Sequence, residues 1–341
     1  MGPLQWVSKA VAGGVPKCMP VLALSEEFDV RMAGEVYERY CQDALVMSRV
    51  AIDSVRRFDY DWAWLQVDDC IEFEMLGVGT VGSGDVLRAT VDYLAPTRAV
   101  LDSLRVPDFR HEGRGPAYLE AIARVREAFG DDKLVVGRTA APFSSVGLLY
   151  GLTPSMILPY DDPDFLKDSM DFLAEVQIEF GRRQFDAGAH AVWFGDCNAG
   201  SHLLSLDHYL EYAFPWAQKV AAAYRDIGLL VFYHASEDDP RFLRHMARLG
   251  VDAVSVGEHG DLPAAKADPE IGGPSCLMGN IDPIQVLQLG SEDEVRSATA
   301  NLLESVSHKG GHLINSGEMV PRATPEANMR AYVETVRAFR A

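Results

Sequence analysis

The stretch Leu229-Leu-Val-Phe-Tyr233 contains five consecutive apolar residues, and His234 follows it directly. Soon afterwards comes Asp238-Asp239-Pro240, which is typical of a helix start because aspartate caps a helix and proline fits its first turn. A short continuous apolar run is expected for a strand that is buried on both faces of a parallel sheet. The stretch therefore predicts one strand–loop–helix unit, with a histidine where the strand ends.

The same pattern recurs along the chain from Asp61 onward. Eight runs are predicted to be strands: Trp62–Val67, Val78–Val81, Leu134–Thr139, Ala191–Phe194, Leu229–Tyr233, Ala253–Val256, Cys276–Met278 and His312–Asn315. Helical periodicity predicts helices between most of them, over Asp162–Gly188, Asp207–Asp226, Pro240–Leu249, Glu292–Ser307 and Pro325–Arg340. Alternating strands and helices predict a parallel sheet with right-handed crossovers. Eight strands favour closure into a (β/α)8 TIM barrel over an open α/β sheet.

The domain organisation follows from where this pattern starts. Residues 1–58 precede the first unit, and they are predicted to form a helical N-terminal extension packed on the barrel. The main helix of the extension is predicted over Gly34–Arg57. Residues 59–341 contain no linker rich in Ser, Gly or Pro, so we expect a single barrel domain there.

Charge and cysteine content exclude several classes of function. Lys and Arg number 31 and Asp and Glu number 50, which gives a net charge of −19. Such a chain repels phosphate backbones and anionic lipids, so nucleic-acid and membrane-surface roles are disfavoured. The five cysteines form no CxxC pair, which indicates a reducing compartment. We find no secretory signal and no apolar stretch approaching the ~20 residues that span a bilayer, and we expect a cytoplasmic protein.

Polar residues follow nearly every predicted strand, and in a parallel barrel those positions face one shared mouth. Loops are polar in any protein, so each residue taken singly is also explained as ordinary loop composition. Polar residues recur after most of the predicted strands, and this recurrence favours a functional site. The candidates are Asp69, Arg138, Asp196, Cys197, Asn198, His234, Asn280 and Glu318.

His234 and Glu318 are the sharpest candidates at this rim. A neutral imidazole at a strand end can bind a metal or move a proton, although a histidine hydrogen-bonded within the mouth would look the same. Glu318 follows Gly317, and its carboxylate can bind a metal or act as a general base. One competing motif, Gly77-Val-Gly-Thr-Val-Gly82, matches GxGxxG, but no clean helix opens after it, so dinucleotide binding is disfavoured.

Five motifs, in order, resemble segments of the uroporphyrinogen decarboxylase superfamily, which includes corrinoid-dependent methyltransferases. The motifs are Asp69 with Glu74–Gly77, Gly137–Phe143, Phe194–Gly200 with Phe214-Pro215, Met278–Asp282, and Asn315–Pro321 with Thr324–Asn328. The resemblance covers the chain from about Gly34 onward and implies the barrel already predicted. It also implies a homodimer, because relatives are often dimers.

Departures from the family pattern bear on function. The Gln-Ala-Gly-Arg segment with which decarboxylases grip porphyrin carboxylates has no match here, and Arg31–Gly34 is the nearest stretch. The late histidine of the decarboxylases falls on Glu318, and their tyrosine falls on Leu148. Porphyrinogen decarboxylation is therefore disfavoured. The methyltransferases bind zinc through His-x-Cys and a later cysteine; His234 matches, whereas Ser236 and Glu318 stand at the cysteine positions.

The resemblance leads to a first hypothesis of methyl transfer. The enzyme would move a methyl group between a small methylated compound or folate-type acceptor and a corrinoid. The corrinoid would be carried by a separate protein, because the Asp-x-His-x-x-Gly signature of a corrinoid domain is absent. His234 and Glu318 would bind zinc or another divalent metal, with Asp196 or Glu237 as a further ligand, or would act metal-free as acid and base.

The remaining candidates complete this hypothesis and its alternatives. Asp69 and Asp196 would orient the substrate or a water molecule, and the expected substrate-binding residues are Arg138, Cys197, Asn198 and Asn280. The second hypothesis is a lyase or decarboxylase acting on a small carboxylic acid, in which Asp69 stabilises an intermediate and His234 or Glu318 donates the proton. A third is a barrel that binds partners without catalysis, against which the polar mouth argues.

Overall fold

The computed structural model describes residues 2–340 of the chain. The strands are β1 (Trp62–Trp64), β2 (Gly79–Val81), β3 (Ala89–Asp92), β4 (Leu134–Ala140), β5 (Ala191–Gly195), β6 (Leu230–Glu237), β7 (Ala253–Val256), β8 (Cys276–Met278) and β9 (His312–Leu313). The helices are α1 (Pro3–Val11), α2 (Glu26–Met32), α3 (Tyr37–Tyr40), α4 (Ala44–Phe58), α5 (Ile71–Met75), α6 (Arg98–Ser103), α7 (Gly115–Phe129), α8 (Pro142–Tyr150), α9 (Leu152–Asp161), α10 (Pro163–Asp186), α11 (Leu206–His208), α12 (Phe214–Asp226), α13 (Pro240–Met246), α14 (Leu262–Ala267), α15 (Glu292–Val306) and α16 (Glu326–Ala338). None of the helices between residues 2 and 340 has the length and apolar character required to cross a membrane.

Seven strands form one parallel sheet in the order β1-β4-β5-β6-β7-β8-β9. Neighbouring strands are joined by helices, as in other α/β folds, so the carboxyl ends of all seven lie at the same edge. The mixed α/β class and the parallel sheet predicted from the sequence are confirmed. The helix predicted after Asp162 is also confirmed, because the Asp162 carboxylate accepts a hydrogen bond from the Phe165 amide (3.0 Å).

The prediction of Val78–Val81 as a strand of this sheet is wrong. Strand β2 instead pairs antiparallel with β3 in a separate hairpin, and β1 pairs directly with β4. The reason is exposure: β2 and β3 are partly or fully exposed, whereas the strands of the main sheet are almost entirely buried. The Gly77–Gly82 motif lies in this hairpin. The parallel sheet therefore has seven strands rather than the eight counted in the sequence.

A buried segment, Met19–Leu24, is hydrogen-bonded to residues that flank the two edge strands, just before β1 and beyond β9. On one side the Asp61 amide donates to the Val21 carbonyl (2.9 Å). On the other side the Val320 amide donates to the Leu24 carbonyl (2.8 Å). The Trp62 indole also donates to the Ala23 carbonyl (3.0 Å). The sequence before residue 58 thus contributes a non-helical segment that contacts both ends of the sheet order, in addition to helices.

The main N-terminal helix is shorter than Gly34–Arg57, the range predicted from the sequence. It begins at Ala44, because the Asp43 side chain accepts hydrogen bonds from the amides of Leu45 and Val46. Before it, Gly34 has a φ of +69°, which ends α2 and separates it from the short α3.

Aromatic side chains fill the centre of the sheet. Trp62 lies 6.1 Å from Trp193 and 6.4 Å from Phe232, measured between ring centroids. Trp64, one residue pair further along β1, lies 5.8 Å from Trp193. Because alternate residues of a strand point to the same face, His234, two residues after Phe232 in β6, points to the same interior as these rings.

Replacing Asp61 tests the anchoring of the Met19–Leu24 segment. The Asp61 carboxylate is almost fully buried and accepts hydrogen bonds from the Val21 amide (2.8 Å) and from Arg337 (2.7 Å). Asp61→Ala leaves these donors unpaired, so we expect the free energy of unfolding to fall by about 3–5 kcal/mol in urea titrations. The matched control is Asp59→Asn, since Asp59 pairs with the same arginine (2.8 Å) but is exposed, and asparagine tolerates its φ of +53°. A loss of about 1 kcal/mol or less is expected there, and equal losses would contradict the anchoring role.

His312 makes the fold sensitive to acid. Burial lowers its pKa to about 4, with a further lowering by Lys266 that a hydrogen bond to Gly279 opposes. Because the folded state binds the proton less well than the unfolded state, stability is full above about pH 6.5 and is lost as the pH falls towards 4. We expect the stability difference between the wild type and His312→Gln to shrink by about 3 kcal/mol between pH 7.5 and 4. A difference independent of pH in urea titrations would refute this.

Candidate active site

His234 is carried by β6 into the interior of the sheet. It lies two residues after Phe232, so both side chains point to the interior face. The imidazole packs against the indole of Trp193, with 4.8 Å between the ring centroids. The Trp193 contact and the interior position leave His234 almost fully buried.

The register of β6 against β7 shifts between His234 and Glu237, which is a bulge in the strand. Within it, Ser236 has a φ of +51°, a left-handed conformation that is costly for a residue with a side chain. The bulge turns the Ser236 hydroxyl back towards the histidine, 3.2 Å from His234 Nε2, and into contact with Glu318. Local backbone strain is thus tied to the arrangement of these three side chains.

Glu318 reaches the same point from the segment after β9. Gly317 permits this approach, because a Cβ at that position would lie only 2.6 Å from the Glu258 Cα. His234 Nε2 donates to Glu318 Oε1 at 2.9 Å. The two side chains therefore converge, as the sequence predicts.

The electrostatics of the pair favour an imidazolium and a carboxylate. Burial lowers the pKa of His234. The Glu318 carboxylate and Cys197 raise it by more than burial lowers it, so the pKa lies well above its ordinary value. Burial raises the pKa of Glu318, but the His234 charge and hydrogen bonds from His234 and Ser236 lower it to about 2. Each charge is thus stabilised by the other.

Cys197 is the third member of this cluster. It follows β5, and its Sγ lies 3.6 Å from the Ser236 hydroxyl. One ligand atom from each of Cys197, His234 and Glu318 lies within 4.8 Å of the other two. His234 Nδ1 is buried and has no hydrogen-bond partner among residues 2–340. A thiol, an imidazole and a carboxylate therefore meet at one point.

Asp196 and Glu237, the further metal ligands considered from the sequence, lie outside this cluster. Asp196 accepts hydrogen bonds from Ser144 (2.8 Å) and from the Tyr233 hydroxyl (2.7 Å) in the interior. Burial raises its pKa to about 6, against these two hydrogen bonds. Glu237 accepts hydrogen bonds from the amide and hydroxyl of Ser201, both at 2.7 Å, so it holds the neighbouring loop.

The cluster opens into a cavity of about 250 Å³. The lining residues are Leu24, Trp64, Gln66, Asp69, Arg138, Thr139, Ala140, Ser144, Leu148, Trp193, Gly195, Cys197, Asn198, His234, Glu318 and Met319. Six of the eight candidate residues chosen from the sequence are among them. Asp196 lies behind the wall, and Asn280 is placed elsewhere, where its amide donates to the carbonyls of Gly257 (2.8 Å) and Gly260 (2.7 Å).

Arg138 is the buried cation of the cavity wall. Its guanidinium donates to Glu72 Oε2 at 2.6 Å and lies 3.2 Å from Asp69 Oδ1. Burial raises the pKa of Glu72, although Arg138 opposes this. Gln177 donates to the other oxygen of Glu72 (3.3 Å).

Sequence reasoning missed Trp193, Glu72 and Gln177 as parts of the site. Gln177 carried a detectable signal, because it lies one turn from Leu173 and Phe180 on the apolar face of α10 and is fully buried. A polar side chain at such a position needs an interior partner. Trp193 and Glu72 carried no comparable signal, since an aromatic residue in a strand and a glutamate in a helix are both common.

Two substitutions at Ser236 separate backbone strain from loss of the hydroxyl. Ser236→Ala and Ser236→Gly both remove the hydroxyl contact with Glu318. Only glycine also relieves the left-handed backbone, so we expect Ser236→Gly to be more stable than Ser236→Ala by about 1 kcal/mol in urea titrations. Equal stabilities, or a more stable alanine variant, would show that the bulge is not strained.

The chain is similar in sequence and in fold to known enzymes. The family model described as uroporphyrinogen decarboxylase (URO-D) matches residues 4–339. The chain is 23% identical over 326 residues to the methylcobamide:CoM methyltransferase MtbA of Methanosarcina mazei, covering 94% of both chains. It is 26% identical over 317 residues to the uroporphyrinogen decarboxylase of Anaeromyxobacter dehalogenans, covering 88% of this chain and 86% of that one. The solved structure of a methyltransferase from Methanosarcina mazei superposes with a TM-score of 0.87 at 22% identity, covering 98% of both chains.

Proposed function

Because the chain belongs to the uroporphyrinogen decarboxylase family and is similar to both methyltransferases and decarboxylases, we propose that it is an enzyme of this kind, a methyltransferase. It moves a methyl group between a small methylated compound or folate-type acceptor and a corrinoid carried by a separate protein. The relative MtbA is named for methylcobamide, which supports the corrinoid as one substrate. The cavity of about 250 Å³ suits a small substrate or the reactive end of a larger one.

The observation that carries the proposal is the meeting of Cys197, His234 and Glu318. Zinc takes sulfur, imidazole and carboxylate ligands, and a catalytic zinc keeps three protein ligands and one open position. The three ligand atoms, all within 4.8 Å of one another, fit such an ion. Zinc or another divalent metal, when bound, would act as a Lewis acid that favours the deprotonated form of a thiol or hydroxyl nucleophile.

The surrounding residues bind and position. Arg138 and Asn198 line the cavity and would orient the substrate, and Asp69 lies beside Arg138 in the same wall. Asp196 would act as a positioning residue, because Ser144 binds both its carboxylate (2.8 Å) and the Asn198 amide (3.1 Å) and so fixes the loop that carries Cys197. Trp193 would hold the imidazole plane of His234 through their ring contact.

The quaternary and domain architecture belong to the same proposal. The seven parallel strands would close into a TIM-type barrel as one domain, with Met19–Leu24 taking the place of the eighth strand. We propose that two such chains form a homodimer in the cytoplasm. Analytical ultracentrifugation measures the number of chains directly.

The direct hydrogen bond between His234 and Glu318 favours a second candidate. In a metal-free site this pair, 2.9 Å apart, would serve as acid and base for a lyase or decarboxylase acting on a small carboxylic acid. The relatives named uroporphyrinogen decarboxylase, at 26% identity, support this alternative.

Metal analysis tests the proposed ligand set. We expect protein purified without chelator to contain about one divalent ion per chain, and Cys197→Ala, His234→Ala and Glu318→Gln each to lose most of it. In the cobalt-substituted protein, Cys197→Ala should also remove the absorption band of a thiolate ligand. Cys276→Ala is the matched control, because Cys276 is a buried cysteine outside the cluster. Equal metal content in the wild type and His234→Ala would remove the metal from the proposal.

Methylcobalamin distinguishes the two candidate reactions. With methylcobalamin and a thiol or folate acceptor, a methyltransferase should shift the cobalamin absorption spectrum. We expect Cys197→Ala and Glu318→Gln to slow this shift at least roughly a hundredfold if they hold the ion. Release of CO2 from small carboxylic acids without any cobalamin change would instead support the lyase.

A further inference from the structure

The guanidinium of Arg138 is an unusual group for the wall of a small cavity. The side chain is 3% exposed and nevertheless lines the same cavity as the Cys197, His234 and Glu318 cluster. A buried charge is retained only where it is paired, so the partners of Arg138 determine what else it can bind.

One partner, Glu72, is fixed. It is fully buried, receives Arg138 Nη1 at 2.6 Å, and is held from the other side by Gln177 Nε2 at 3.3 Å. Glu72 and Arg138 therefore form a balanced buried pair that neither solvent nor a ligand reaches from the side of Glu72. The other terminal nitrogen, Nη2, remains for a second carboxylate.

The second partner, Asp69, is loosely held. Its carboxylate lies 3.2 Å from Arg138 Nη2, beyond the 2.7–2.9 Å of a strong charged hydrogen bond, and it is 62% exposed. Its other hydrogen bond, from Gln66 Nε2, is also long at 3.2 Å. Solvation compensates an exposed aspartate that leaves an arginine, so displacing Asp69 costs little. A ligand carboxylate in its place would leave the charge around Arg138 unchanged.

The rest of the wall defines the body of such a ligand. Apolar and aromatic surface comes from six of the lining residues, which are Leu24, Trp64, Ala140, Leu148, Trp193 and Met319. The cavity volume of about 250 Å³ limits the ligand to a small molecule. A charged end facing Arg138 and an apolar body against the tryptophans complement this cavity.

We propose that Arg138 Nη2 binds the carboxylate of a small monocarboxylic acid with an apolar or aromatic body, and that Asp69 occupies this position when no substrate is bound. The inference rests on the proposed function, since it names the class of substrate that the same cavity receives. Arg138 is then a specificity-determining residue and Asp69 an internal competitor. The apolar body of the acid lies towards Trp193 and the Cys197 cluster.

A cationic substrate bound by Asp69 would respond to substitution of Asp69 in the opposite way. If Asp69 were the receptor for a cationic substrate, such as an amine stacked on the tryptophans, removing its charge would weaken binding of cations and leave carboxylates unaffected. The geometry favours the carboxylate reading, because the buried arginine is fixed in place and the aspartate is exposed.

Calorimetric titration with three probes of one shape, benzoate, benzyl alcohol and benzylammonium, decides between the two readings. We expect the wild type to bind benzoate best. Asp69→Asn should tighten benzoate binding by about threefold to tenfold, because the competing carboxylate is gone. Glu74→Gln is the matched control, since Glu74 belongs to the same segment and pairs with Arg88 and Arg114 outside the cavity lining. No change is expected for that variant.

Removal of Arg138 needs a variant that still folds. Arg138→Gln alone leaves Glu72 as an uncompensated buried charge, so the double variant Glu72→Gln with Arg138→Gln is used, and its circular dichroism is compared with that of the wild type. We expect it to lose benzoate affinity at least roughly tenfold while retaining benzyl alcohol binding. Absence of benzoate binding in both the wild type and Asp69→Asn, or weaker benzoate binding in Asp69→Asn, would overturn the inference.

These titrations are independent of the proposed methyl transfer. Benzoate carries no methyl group to transfer, and its binding requires neither the corrinoid nor the Cys197 cluster. Failure of benzoate binding would therefore overturn the carboxylate site and leave the methyltransferase proposal to its own test. Conversely, a metal analysis that finds no bound ion would not affect the proposed carboxylate site.

Discussion

The alternation of side chains along β6 is the constraint on which the site depends. Because Phe232 faces the interior aromatic cluster, His234 must face it as well, and it packs at 4.8 Å against Trp193. A shift of one residue in the register of β6 would turn the imidazole towards the surrounding helices. The bulge that follows His234 then breaks the alternation, so that Ser236 also turns inward and meets Glu318.

Buried ionic pairs surround the cavity of this protein. Two ionic pairs lie around the cavity, and each joins distant parts of the chain: Arg138 with Glu72, and His234 with Glu318. Such pairs contribute little net stability, because desolvation offsets their attraction. Their place beside a cavity is consistent with the proposed roles in binding and catalysis.

The sequence was most informative where one short segment decides the outcome. The strand Ala253–Val256 and the capped start of α10 at Asp162 were predicted correctly, because a buried strand and a helix cap are local features. The Val78–Val81 run was assigned to the wrong sheet, because a strand pattern does not specify its partner. The role of Met19–Leu24 was missed for a related reason: its hydrogen bonds go to residues around 61 and 320, far along the chain.

The site divides in the same way. The sequence by itself determined that polar residues, His234 and Glu318 among them, follow the strands, because the ends of buried strands are where the chain leaves the core. Only the tertiary structure decided that Cys197, rather than Asp196 or Glu237, completes the cluster, and that Asn280 binds backbone elsewhere. Neighbouring residues at a strand end point in different directions, and which of them reaches the cavity depends on the bulge in β6, the turn after β5 and the packing of Trp193, none of which can be read from residue order.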